Sequence, residues 1–229
     1  MLRVGTTSEV GGYAVRVRSG YPPAPWCLVG HVVVVVAPVA LEVARSLVPA
    51  WLRLVPVLPG RALGIVVLAL YGEGSTLRYA EVAGMLGPVL GAGAPAAFVH
   101  AIYVDDARSR VGGRELWGVP KELARFRWLP GAVEVSDATG PPLLRAAWRE
   151  PRIRVAFPVT IPFLGALDGV VRRGRLTGTM RLAPSRVALE IAPRSPLAEL
   201  RLEGPRLTAI GRVHVRAHAI RPAGRAALG

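Results

Sequence analysis

Short runs of β-branched and aliphatic residues, separated by glycine and proline, recur along this 229-residue chain. Strands favour β-branched residues, whereas glycine and proline favour turns. Many short strands of this kind predict an α+β, mostly β fold, in which a β-barrel or sandwich carries a few packed helices. Apolar residues at helical spacing predict one helix over 38–48. The predicted strands are 31–36, 52–57, 64–71, 98–104, 125–129, 132–135, 143–148, 153–157, 175–182, 187–191 and 207–220.

Length and composition favour one domain. The chain is 52% hydrophobic, which is enough for one sizeable core, and neither a low-complexity linker nor an internal repeat divides it. We therefore expect a single domain over residues 1–229, with about 20 N-terminal residues peripheral to it.

The apolar segments predict neither a targeting signal nor a membrane span. Residues 1–21 carry arginines and glycines without a signal-type apolar run. The longest aliphatic runs, 32–36 and 62–71, fall short of the roughly 20 residues that cross a bilayer. The single cysteine, Cys27, lies in an apolar segment and indicates a small core residue of a reducing compartment. We expect a cytoplasmic protein without a membrane partner.

The chain is strongly basic, with a net charge of +14. Its arginines are scattered among aliphatic residues, and aromatic residues make up only 6% of the chain. A stacking platform for single-stranded nucleic acid is therefore not expected, and neither is nucleic acid as the main partner. A positive field of this kind suits a small anionic substrate.

Of the 29 basic residues, Lys121 is the one lysine. A lysine amine can lose its proton and attack a carbonyl, whereas a guanidinium stays charged. Composition alone leaves two interpretations open: a reactive amine that arginine cannot replace, or a surface lysine that survived by chance. Locally, Gly112 and Gly113 predict a turn, and Pro120 predicts the start of a short helix. Lys121 would then lie near a positive helix end, which favours the neutral amine.

The segment around this lysine resembles a known family. Gly-Arg-Glu-Leu-Trp-Gly-Val-Pro-Lys-Glu-Leu, at 113–123, is similar to the Gly-Arg-Glu…Pro-Lys-Lys-Leu signature of the acetoacetate decarboxylase family. His-Ala-Ile-Tyr-Val-Asp at 100–105 resembles the family's His-x-x-Tyr-Leu-Asp stretch, and Tyr-Ala-Glu at 79–81 its Tyr-Thr-Glu segment. Pro25-Trp26, followed by a strand, a helix and Leu-Val-Pro at 47–49, is similar to the family's N-terminal layout. The resemblance extends over about residues 20–135.

This resemblance implies a cone-shaped β-barrel, a homo-oligomer, and a lysine that forms a Schiff base with a keto acid without a cofactor or metal. The iminium then withdraws electrons as carbon dioxide leaves. Lys121 and Glu81 match the catalytic lysine and one active-site glutamate, although Glu81 alone could also be a surface helix carboxylate. The expected substrate-binding residues are His31, Tyr79, His100, Arg114 and Trp117. His31 could hold a substrate carboxylate or move a proton; Arg114 and Glu115 could instead form a structural ion pair.

Three departures from the family pattern narrow this expectation. Glu122 stands where the family has a second lysine, and an adjacent carboxylate stabilises the protonated amine unless it points away. The family's substrate-side arginine falls at about His31, and its second glutamate near Val66. Three hypotheses follow: a lyase that decarboxylates a β-keto acid, an aldolase, dehydratase or cyclase acting on a pyruvate-like keto acid, and a non-catalytic ligand-binding relative.

Overall fold

The computed structural model describes residues 20–91 and 94–220, and this part of the chain is mostly β, as predicted. Its α-helices are α1 (Leu41–Leu47) and α2 (Ala107–Trp117), and a 3-10 helix covers Pro196–Leu200. The strands are β1 (Trp26–Ala40), β2 (Arg53–Leu54), β3 (Arg61–Tyr71), β4 (Tyr79–Leu90), β5 (Ala96–Val104), β6 (Lys121–Leu129), β7 (Ala132–Asp137), β8 (Pro142–Trp148), β9 (Val155–Leu167), β10 (Val170–Pro184), β11 (Val187–Ile191) and β12 (Leu207–Ala217).

Seven strands close into a barrel in the order β1-β3-β4-β5-β9-β10-β12, with β12 pairing back onto β1. Neighbouring strands are antiparallel, except that β5 pairs in parallel with β9. Closure gives each of these strands a hydrogen-bonded neighbour on both sides.

A four-stranded extension, β6-β7-β8-β11, branches from the barrel at β5. The C-terminal end of β5 pairs in parallel with β6, which places Lys121 opposite Ile102. Helix α2 makes the crossover between these parallel strands, as parallel pairing requires. This β5-α2-β6 unit therefore sets the position of Lys121.

The barrel wall separates two hydrophobic cores, which explains the continuous apolar sequence of β1. Leu28 and Val32 face the barrel interior, whereas Val33 and Val35 pack outside it, beneath α1 and the extension. A strand that is buried on both faces has a continuous apolar sequence, whereas a strand with one solvent-facing side alternates apolar and polar residues. In β12 the burial alternates instead, because Arg212, His214 and Arg216 are exposed between buried neighbours.

Some local predictions were wrong. Residues 38–40, expected in the first helix, continue β1, and the strand expected over 52–57 is reduced to Arg53–Leu54. The turn expected at Gly112 and Gly113 lies inside α2. Within the described ranges, the helices are too short or too polar to cross a bilayer.

Candidate active site

Lys121 is the first residue of β6, and its side chain points into the barrel rather than into solvent. The residue is only 4% exposed. It lies in a strand, so the prediction of a short helix starting at Pro120 was wrong. Burial removes water from the amine, and a lysine in such surroundings can react as a nucleophile when a nearby group takes its proton.

Three polar side chains surround the amine. Lys121 Nζ donates a hydrogen bond to Glu81 Oε2 at 2.7 Å and lies 3.0 Å from Ser109 Oγ. The Tyr79 hydroxyl is 3.5 Å from Nζ, which also lies 4.8 Å from the centre of the Tyr79 ring. The Glu81 side chain is 13% exposed, so the ion pair is shielded from solvent and weakly screened.

Strand β4 presents Tyr79 and Glu81 on the same face, because side chains two residues apart in a strand share a face. Glu81 was considered as a possible surface helix carboxylate, but it lies in a strand and points inward. Asp105 fixes this part of β4 from β5, since its Oδ1 accepts a 2.7 Å hydrogen bond from the backbone N–H of Ala80.

Ser109 reaches the amine from the first turn of α2. Asp106 caps this helix by accepting a 2.8 Å hydrogen bond from the Ser109 backbone N–H. Ser109 was not among the site residues expected from the sequence. An aspartate followed three residues later by serine is a pattern that marks the start of a helix. This pattern does not predict which strand the serine side chain will face.

The second turn of α2 lies against the lysine stem. A Cβ on Gly113 would lie 2.5 Å from Lys121 Cδ, so the bare backbone of this glycine makes room for the side chain. Gly118, in the left-handed conformation at φ 62°, ends the helix and turns the chain back towards β6.

Glu122 points away from the site. Its side chain is half exposed and accepts hydrogen bonds from Arg110 Nε at 3.1 Å and Arg114 Nη1 at 2.7 Å. The ion pair that sequence reasoning assigned to Arg114 and Glu115 is thus made by Arg114 and Glu122, whereas Glu115 accepts from the Tyr21 hydroxyl at 2.6 Å.

Two buried tyrosines complete the polar end of the cavity. The rings of Tyr71 and Tyr79 lie 5.0 Å apart. Burial and the nearby Glu81 carboxylate raise the pKa of both hydroxyls well above the usual value, so both stay protonated at neutral pH. They can donate hydrogen bonds to an oxygen anion, but neither supplies a base.

The rest of the cavity is apolar. It encloses about 150 Å3 inside the barrel, and aliphatic and aromatic side chains from the surrounding strands form its walls, among them Leu28, Val32, Val67, Phe163, Met180 and Val215. Trp117 closes one side: its Nε1 donates to the His218 carbonyl at 2.8 Å, and its ring meets Trp26 edge to face at 4.9 Å.

The structure brings together Lys121, Glu81, Tyr79 and Trp117 of the predicted site residues, all of which line the cavity. It places Arg114, His100 and His31 elsewhere. Arg114 lies behind the lysine and binds Glu122 and the Lys121 carbonyl. These three residues, expected to bind substrate, therefore do not line the cavity around the lysine amine.

The two histidines lie on the outside of the barrel wall because of strand alternation. His31 Nε2 is 3.1 Å from Glu150, and its ring stacks on Trp148 at 5.7 Å. His100 Nε2 is 2.9 Å from Glu199. Simple counting along β1 could not tell which face a residue occupies, since a shift of one position moves it across the wall.

The donor set in the cavity suits covalent chemistry at an amine rather than metal binding. Within the described residues, no three His, Cys, Asp or Glu side chains come together as a metal site would require. A neutral Lys121 can attack a carbonyl carbon, Glu81 can carry the proton, and Ser109 and Tyr79 can stabilise the oxygen that forms.

Comparisons with known proteins agree with this geometry. The family model described as acetoacetate decarboxylase matches residues 13–142. Acetoacetate decarboxylase 1 of Bradyrhizobium diazoefficiens is 50% identical over 42 residues, which are 18% of this chain and 17% of that protein. The Acidiphilium cryptum acetoacetate decarboxylase is 45% identical over 42 residues, with the same coverage. The matched segment thus spans under a fifth of the length of these curated relatives.

Solved structures share the fold at low identity. Acetoacetate decarboxylase from Legionella pneumophila superposes with a TM-score of 0.64 at 14% identity, covering 95% of this chain and 97% of that one. The enduracididine biosynthesis enzyme MppR in complex with pyruvate gives 0.62 at 17% identity, covering 93% and 98%. Because the family model matches more than half of the sequence, the chain belongs to the acetoacetate decarboxylase family.

Proposed function

We propose that this protein is a carbon–carbon lyase that decarboxylates a small β-keto acid through a Schiff base on Lys121. The observation that carries this proposal is the contact of 2.7 Å between the buried Lys121 amine and the Glu81 carboxylate at the end of an apolar cavity. A buried ion pair commonly contributes little net stability, so its presence at the end of a cavity favours a chemical role.

The first half of the reaction forms the iminium. Glu81 takes a proton from the ammonium, and the neutral Lys121 nitrogen attacks the ketone carbon of the substrate. Ser109 and Tyr79 lie where they can donate to the oxygen of the tetrahedral intermediate. Glu81 returns its proton to this oxygen, then takes a second proton from the nitrogen and passes it to the resulting hydroxyl, which leaves as water while the carbon–nitrogen double bond forms.

The second half breaks the carbon–carbon bond. The electrons of the bond to the carboxylate move towards the iminium nitrogen, so carbon dioxide leaves and an enamine remains. Protonation of the enamine carbon and attack of water on the iminium release the ketone and restore the amine. Overall, one β-keto acid anion and one proton give one ketone and carbon dioxide.

Borohydride trapping tests the covalent step. Incubation with a β-keto acid and borohydride should add the mass of the reduced adduct, as read by intact mass spectrometry, and peptide mapping should place it on Lys121. Because Lys121 is the chain's one lysine, Lys121→Arg removes the reactive side chain while keeping a positive charge. Equal trapping by Lys121→Arg, or none with any keto acid, would overturn the proposal.

Carbon dioxide release then distinguishes the reaction types. Wild-type protein should release carbon dioxide from a β-keto acid in a reaction that Lys121→Arg lacks. Trapping of pyruvate without release of carbon dioxide from β-keto acids would instead indicate an aldolase-type or dehydratase-type reaction.

A further inference from the structure

We infer that the substrate of this site is a β-keto acid whose ketone carries an apolar group larger than methyl, up to the size of a phenyl ring. This inference rests on the proposed Schiff-base function and adds the substrate class. It comes from three properties of the cavity: its charge, its walls and its volume.

The charge of the cavity is already balanced before a substrate enters. Among the described residues that line it, Lys121 and Glu81 carry the charged side chains, and they pair with each other at 2.7 Å. Arg114, the nearby cation predicted to contact substrate, binds Glu122 outside the cavity. A second carboxylate on the substrate would therefore enter apolar surroundings without a cation, which is strongly unfavourable.

The walls and the volume favour an apolar group. Leucine, valine, methionine, phenylalanine and tryptophan side chains surround most of the cavity, which encloses about 150 Å3 in all, the space next to the amine included. A cavity of roughly this volume with aliphatic and aromatic walls is large enough to bind benzene. A methyl group would leave most of it unfilled and would forgo the contacts that a propyl or phenyl group makes.

The single carboxylate of a β-keto acid fits this setting because the reaction removes it. Its negative charge is poorly solvated between apolar walls, and loss of carbon dioxide gives two neutral products, an enamine and carbon dioxide. Loss of this charge in the transition state is favoured by apolar walls, and among the described residues no arginine lines this cavity. The same wall that selects an apolar group thus promotes the cleavage.

A substrate series with one reacting head group tests the inference. Carbon dioxide release is measured for acetoacetate, 3-oxohexanoate, benzoylacetate and 3-oxoglutarate, which differ in the group on the ketone. We expect kcat/KM for 3-oxohexanoate and benzoylacetate to exceed that for acetoacetate by about 10-fold or more, since each well-buried methylene contributes on this scale. For 3-oxoglutarate, with its second carboxylate, we expect the lowest value. Acetoacetate or 3-oxoglutarate as the best substrate would overturn the inference while leaving the Schiff base intact.

A variant that fills the cavity, compared with a surface variant as its control, tests where the apolar group binds. Ala83 lies on β4 two residues beyond Glu81 and lines the cavity, whereas Ala188 on β11 is exposed. Ala83→Leu should lower the ratio of kcat/KM for benzoylacetate to that for acetoacetate by about 10-fold or more. Ala188→Leu adds the same side chain at the surface and should leave the ratio unchanged. An unchanged ratio in Ala83→Leu would count against this cavity as the binding site of the apolar group.

Binding without chemistry separates this inference from the proposed function. The double variant Lys121→Met, Glu81→Gln removes both charges of the buried pair together, so no unpaired charge remains. Titration calorimetry should show that acetophenone binds this variant and that acetone binds at least about 10-fold more weakly. Equal affinity for the two ketones overturns the apolar selectivity even if trapping succeeds. Tighter binding of acetophenone supports the selectivity even if trapping fails, in which case only the covalent function is lost.

Discussion

Lys121 and Glu122 are adjacent in sequence, but their side chains leave β6 on opposite faces. The lysine amine is buried beside Glu81, while the Glu122 carboxylate is half exposed and held by Arg110 and Arg114. Strand alternation produces this separation, since successive side chains point to opposite sides of a sheet. The carboxylate that replaces the family's second lysine therefore does not contact the Lys121 amine, and two arginines offset its charge.

Replacement of Glu122 should hardly change the chemistry. We expect Glu122→Gln to trap a β-keto acid at a rate within about 3-fold of wild type, because this half-exposed carboxylate pairs with partly exposed arginines. Surface pairs contribute roughly 0.2–1 kcal/mol. The measurements are the initial rate of borohydride trapping and the midpoint of urea unfolding. A 100-fold change in trapping would show that this carboxylate acts on the amine despite its orientation.

Glu81 should be far more sensitive to the same change. Glu81→Gln keeps the shape of the side chain but cannot take or return a proton, so we expect trapping to slow by about 100-fold to 10,000-fold. The rate is followed across pH by intact mass. The Glu122→Gln variant serves as the matched control, since it removes a carboxylate one residue from the lysine. Equal rates for the two variants would exclude Glu81 as the proton carrier.

Loss of the Ser109 hydroxyl should slow trapping less than Glu81→Gln does. Ser109→Ala removes a hydroxyl 3.0 Å from Nζ, and a lost hydrogen bond of this kind corresponds to about 1–3 kcal/mol, or roughly 5-fold to 150-fold in rate. Ser195 is also buried but caps the 3-10 helix away from the cavity. Ser195→Ala should lower the stability of the fold without slowing trapping. If both variants slow trapping equally, the effect comes from the fold rather than from the contact with the amine.

Much of the fold followed from sequence, because β-branched runs and turn residues are local signals. The lone lysine and the motif around it also pointed to a side chain that lines the cavity. Two predictions failed for physical reasons that short-range patterns do not contain. Gly112 and Gly113 look like a turn, yet they lie in α2, where helix, lysine stem and Trp26 pack too closely for a Cβ. His31 was aligned by counting, and counting does not fix which face of β1 meets the cavity.

The close approach of α2 gives a steric test. A Cβ on Gly113 would clash with the lysine stem at 2.5 Å, so Gly113→Ala should displace Nζ and slow trapping by about 100-fold. Gly64 on β3 provides the control, since its Cβ would meet Leu202 at 2.5 Å in the outer core. Both variants should lose about 1–3 kcal/mol of stability through overpacking. Trapping at the wild-type rate by Gly113→Ala would mean that the lysine stem moves aside freely.

His31 should make the stability of the fold depend on pH. Its ring stacks on Trp148 and its Nε2 lies 3.1 Å from Glu150. Burial lowers the pKa of His31 below its usual 6.5, outweighing the attraction of Glu150, and the Arg154 and Arg212 charges lower it further. The unfolded chain therefore binds a proton at a higher pH than the folded chain does.

The direction of the effect follows from this difference in proton binding. The stabilisation from a neutral His31 is fully present above about pH 6.5, and it is lost as the pH falls from 6.5 through the lower pKa of the folded state. We expect the free energy of unfolding, measured in urea by tryptophan fluorescence, to decrease between pH 7.5 and about 5.5. His31→Gln cannot take up a proton and should reduce this decrease. Identical pH dependence in the variant would show that His31 titrates alike in the folded and unfolded chains.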